Sequence, residues 1–191
     1  MIEFILDLFA RVFNRKYELV RNDYINMYGH TLYRIRALRD IPETYVTAGD
    51  LGGYVQRHFN LSHRGRAWIY ENAKVFHYAR VSGDAFISDS AVVHGHARVF
   101  EEGSLSYSAC AMGHAKVFGR ASIGGRAIVD DYAKIYGRAW LGENAHVDGF
   151  ARVYDYGQVL DNGYVTNFAQ VFGTASVDGH KHVYGRAKLE I

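Results

Sequence analysis

Cysteine and proline are almost missing from this chain. Cys110 is the sole cysteine, so no disulfide can form within the chain and a disulfide-stapled secreted scaffold is excluded. Pro42 is the sole proline against 20 glycines, a balance that suits regular turns more than disorder. No apolar run is long enough to span a membrane. An excess of one charge is also lacking, since 22 Lys and Arg face 20 Asp and Glu. Net charge therefore does not point to nucleic acid; only an uneven distribution of charge can. The first fifteen residues are apolar but carry Glu3, Asp7, Arg11 and Arg15, whereas a signal peptide keeps its apolar core free of charge. A cytoplasmic location is the expectation.

What is present is a repeat. From Ala67 onward alanine recurs every six residues, at 17 of 21 positions, with Gly103, Gly157, Gly163 and Lys181 as the exceptions and no insertion. Two residues after each comes Ile, Val or Leu, with Ala111 as the one departure. Strand side chains alternate, so the small and the branched residue share one face and point inward. The next two residues are turn formers such as Gly83-Asp84, Gly119-Arg120 and Asp161-Asn162. One such strand cannot bury its inner face alone, whereas stacked coils can. A helix would smear the alanines around all its faces.

Segments such as VSGDAF (81–86), VFGRAS (117–122) and VYGRAK (183–188) resemble the hexapeptide repeat of left-handed parallel β-helices. That resemblance implies three strands per coil and left-handed coiling. Acyltransferases of that superfamily often place Gly after the aliphatic residue and carry inserted loops; here the slot is commonly aromatic and the repeat is unbroken. A second resemblance rests on GHTLYRIRAL (29–38), GDLGGYV (49–55), NLS (60–62) and AWIY (67–70), which look like the opening of phage and prophage hexapeptide-repeat, transferase-like proteins without an established activity. The resulting fold class is an all-β, single-stranded left-handed parallel β-helix of about seven three-strand coils, with an N-terminal helix and a small β cap. The segments are an amphipathic helix over 1–15, a β cap over 16–66 and the hexapeptide β-helix over 67–191. Gly52-Gly53 is expected to turn the chain into the first coil. Lys181, in an inward slot near the end, is expected to discourage end-to-end stacking.

Three strands per coil place residues eighteen apart on one face. The first face carries Trp68, Phe86 and Trp140; the second carries Lys74, Cys110 and His146. The third carries a basic column, Arg80, Arg98, Lys116, Lys134 and Arg152, beside an aromatic column, Phe100, Phe118, Tyr136, Tyr154 and Phe172. Stacked aromatics can stabilise a β-stack with no ligand. Five like charges about 4.8 Å apart repel, however, and stacking alone does not require them. The face is therefore read as a partner surface. The partner is either another subunit of a trimer or dimer, an anionic ligand such as a nucleotide or nucleic acid, or an acidic host protein.

The enzymatic alternative follows from the superfamily resemblance, whose acyltransferases use a histidine as general base between subunits. His96 and His114 are the candidates, with His94 and His146 behind them. A metal site at His94, His96 and His114 lacks an evident fourth ligand. No phosphate-binding glycine loop, nucleophile–base motif or cysteine cluster is present, and no cofactor or metal is implied. The function read from the sequence is a non-catalytic, phage-encoded interaction protein, acting as an anti-defence inhibitor or a ligand sponge through its third face. The alternative is an acyltransferase-like enzyme with His96 or His114 at a subunit interface. A membrane partner is not expected.

Overall fold

The structure is a computed structural model and describes residues 15–191. The N-terminal helix expected over 1–15 lies outside the described residues except for Arg15, which belongs to no element. Among the described residues every regular element is a β-strand apart from one short 3-10 turn, His58–Asn60. From Trp68 to Glu190 the chain makes two- or three-residue strands, each pairing in parallel with the strand eighteen residues on, as in Lys116↔Lys134 and Trp140↔Gln158. Three sheets result, and the chain is a parallel β-solenoid of about eight turns.

The hexad explains the local geometry. Alanines and branched residues such as Ala115, Val117, Ala145 and Val147 are fully buried, and small plus branched fills the narrow interior. The first turn residue of most hexads has a left-handed backbone: Gly119 at φ +67°, Asp89 at φ +56°. Glycine adopts that conformation without steric cost. Where an acid stands instead, its carboxylate often accepts the backbone N–H of the same slot one coil on, as Glu71 does from Asp89 (2.7 Å) and Asp89 from Tyr107 (2.8 Å).

The N-terminal segment forms β1 (Tyr17–Met27), β2 (His30–Ala37) and β3 (Leu51–Val55). β1 and β2 pair antiparallel, as do β2 and β3, while β3 pairs parallel with Lys74–Val75. The cap therefore extends the second-face sheet. Together with a bridge from Leu61 to Val81, β3 also begins the coiling before Ala67, so there is about one turn more than the seven expected. Gly52 and Gly53 are not a turn; they lie in β3. A Cβ on Gly53 would come within 2.4 Å of the Ala73 carbonyl oxygen, and one on Gly52 within 2.5 Å of that of Ile69. Glycine is there because backbone passes so close.

Most carbonyl oxygens at the first coil would otherwise face an open end, because the donors that pair with them come from the coil before. Side chains close that end. The Lys16 Nζ donates to the Ala67 carbonyl (2.6 Å), and the Asn60 Nδ2 donates to those of His77 (3.1 Å) and Ala79 (2.9 Å). Lys16 is wholly buried, and burial lowers its pKa to about 8. The Tyr17 hydroxyl donates to the His58 and Leu61 carbonyls, and burial pushes its pKa up. Trp68, expected on the outer surface, is buried against Tyr17. Lys181 does not point inward: it is exposed and bonds Asp178 at 2.6 Å.

Candidate functional site

The third face carries three parallel columns. At its centre stand Arg80, Arg98, Lys116, Lys134 and Arg152, in register by direct strand pairing. None of the five has a carboxylate within ion-pair distance among the described residues, although other cations do, as in Arg120 with Glu102 at 3.0 Å. Neighbouring cations about 5 Å apart repel by roughly 0.8 kcal/mol per pair even at the dielectric of water.

The aromatic column is a true ladder. Ring centroids are 4.9 Å apart for Phe100–Phe118 and Phe118–Tyr136, 5.0 Å for Tyr136–Tyr154 and 4.9 Å for Tyr154–Phe172, with planes within 7°. Each ring sits half-buried, and the three inner ones, Phe118, Tyr136 and Tyr154, have both faces covered by their neighbours. Burial raises the pKa of the Tyr136 and Tyr154 hydroxyls, and that of Tyr154 donates to Gln170 Oε1.

A second ladder, not recognised in the sequence, flanks the cations on their other side. It runs Tyr78, His96, His114, Tyr132, Phe150 and Phe168, with centroid spacings from 4.7 to 5.2 Å. Its signal was legible as an aromatic or imidazole residue just before each third-face alanine, at eighteen-residue spacing. Between this ladder and the cations runs a groove of about 580 Å³. A further cavity of about 580 Å³ opens at the N-terminal end of the face, where Ser82 stands in place of an aromatic ring.

His96 and His114 are thus rungs of a ladder, 4.7 Å apart and nearly parallel. Neither imidazole has a side-chain hydrogen-bond partner among the described residues, so no carboxylate orients either ring. His94 does not join them; its ring stacks on Phe76 at 5.1 Å on the second-face side. Among the described residues no cluster of three or more His, Cys, Asp or Glu could hold a metal. His146 has a carboxylate nearby, although its buried Nε2 makes no hydrogen bond among the described residues. Its Nε2 lies 3.7 Å from Asp148 Oδ2, and Asp148 accepts a 2.6 Å bond from the Tyr164 hydroxyl. Residues two apart on a strand share a side, which was the signal overlooked. Burial raises the Cys110 thiol to about 11, so it is a poor nucleophile.

No family model matches the chain, and no curated protein matches it. Among the described residues no helix is long and apolar enough to cross a membrane.

Proposed function

We propose that this chain is a non-catalytic binding protein whose third face takes a phosphate-bearing anion, a nucleotide or a nucleic-acid strand. The observation that carries this reading is the column of five cations without acidic partners, set between two aromatic walls. A nucleic acid carries condensed counterions, and a column of cations that neutralises its phosphates releases them. The hexapeptide-repeat and phage-protein resemblance supports a narrower version, in which the protein sequesters a ligand or blocks a host defence. The acyltransferase alternative has less behind it, because His96 and His114 lack an orienting partner.

A second reading has its own observation. Tyr78, Tyr132, Phe150 and Phe168 form an exposed apolar strip, and such strips mark contacts between proteins. The face would then join subunits of a dimer or trimer.

One double variant separates the two. With Lys116→Glu and Lys134→Glu, binding of ATP and of a single-stranded oligonucleotide should be lost, while mass by light scattering stays that of the wild type. Binding of the single-stranded oligonucleotide to the wild type should also weaken steeply between 50 and 200 mM salt, by a factor on the order of 10² for five phosphate contacts. Retained binding after charge reversal would overturn the anion reading. A fall in mass would establish the subunit interface instead.

A further inference from the structure

The half-buried ladder ends abruptly. Phe100 stacks on Phe118, but the in-register position one coil toward the N-terminus is Ser82, as the pairing of Val81 with Val99 fixes. Every ring from Phe118 to Tyr154 has both faces covered, whereas among the described residues Phe100 has no ring over its other face. The cavity of about 580 Å³ lies there, within the range of small-molecule sites.

Its walls have a specific chemistry. Phe100 and Val81 give an apolar floor, and Phe59 closes the side nearest Arg80, whose guanidinium carbon is 5.8 Å from the Phe59 ring centre. Arg80, Arg98 and Lys116 border the cavity. So does His63, whose Nδ1 accepts the Lys16 backbone N–H at 3.3 Å. That bond leaves the proton of the neutral ring on Nε2, which has no hydrogen-bond partner among the described residues. Along the middle of the face a planar ligand finds only the edges of rings whose faces are already stacked. The ladder's other end, Phe172, is followed in register by Glu190, whose carboxylate opposes a phosphate, whereas at Phe100 an open aromatic face lies beside Arg98 and Lys116.

Resting on the reading of the third face as a phosphate-binding surface, we propose that this notch is a nucleotide site. The base enters as the next rung over Ser82, stacked on Phe100, and the phosphates lie on Arg80, Arg98 and Lys116. The base of a strand's terminal nucleotide has the same chemistry as that of a free nucleotide, so both sources fit.

The test compares ATP with inorganic tripolyphosphate on the full chain by calorimetry. Stacking on an aromatic side chain predicts that ATP binds about tenfold more tightly or better. Ser82→Phe fills the notch with a sixth protein ring and should remove that preference, leaving tripolyphosphate affinity unchanged. Phe100→Leu should also remove it and covers the case in which Ser82→Phe does not fold. If wild type binds ATP and tripolyphosphate equally, the notch proposal fails while the phosphate reading of the face survives. If neither binds, both fail. A base preference that persists in the folded variants also overturns the notch. Lys134→Glu with Arg152→Glu, beyond the notch, should weaken a single-stranded octanucleotide and spare ATP. Equal losses for both would place the nucleotide along the column instead and overturn the notch.

Discussion

At the scale of single residues the hexad leaves little freedom. The alanine slot admits almost nothing larger, since Gly157 and Gly163, which replace alanine, already lie within 2.7 and 2.5 Å of carbonyl oxygens of the next coil when a Cβ is placed on them. The branched slot fills the space between. Val147 is fully buried, so Val147→Asp would leave a carboxyl with no partner in the core. The expected cost is about 3–5 kcal/mol, which for a chain of this size lowers Tm by roughly 10 °C. A variant that melts with the wild type would show that 145 and 147 do not face inward. The inward and outward assignment was legible in the middle coils because it needs only the alternation of side chains along a strand; Trp68 and Lys181, in the first and last coils, depart from it. The exposed ladder was harder to see, because its members are Tyr, His and Phe in a turn slot where the eye expects Gly and Asp.

Elements joined less legibly. The repeat is local and periodic, whereas the cap depends on contacts 41 to 51 residues apart, such as Tyr17 to His58 and Lys16 to Ala67. Nothing in the pattern of β1 announces that a lysine will plug the end of the coil or that Trp68 will be covered. The cap also carries the clearest pH response. Lys16 has a pKa of about 8 when folded and 10.5 when free. Between those values the unfolded chain holds a proton that the folded chain has released, so stability rises with pH across this window. Tyr17 acts in the opposite sense above pH 10, where the unfolded hydroxyl ionises and the buried one does not. The net expectation is a rise in Tm from pH 8 to 10 that disappears in Lys16→Met. Equal slopes for both proteins would mean that the amine is not titrating in the folded cap. Acid works on the same element, because burial lowers the His63 pKa to about 4. Stability contributed by its neutral form is lost as pH falls from 6.5 toward 4.

For the whole molecule, the function-bearing feature is order along one axis: every coil adds one outward residue to each column of the third face. The basic column and the half-buried ladder were readable from eighteen-residue spacing alone. The notch at Ser82 was not, because it is defined by what the cap places beside it. The coil-to-coil hydrogen bonds have a further consequence. They run along the rod, as from the Lys116 N–H to the Ala133 oxygen and from the Lys134 N–H to the Ala151 oxygen. A pull on the two ends therefore opens them like a zipper, one coil after another, and never loads them all in shear. Each coil of eighteen residues, seen in Lys116↔Lys134, would release about 60 Å of chain. In an optical trap the molecule should lengthen as a staircase of such steps at low force. One single rupture of the full length would mean that the coils are bound into one cooperative body. A staircase would make the protein a compliant tether, stiff under the sideways load of a bound ligand and soft along its own axis.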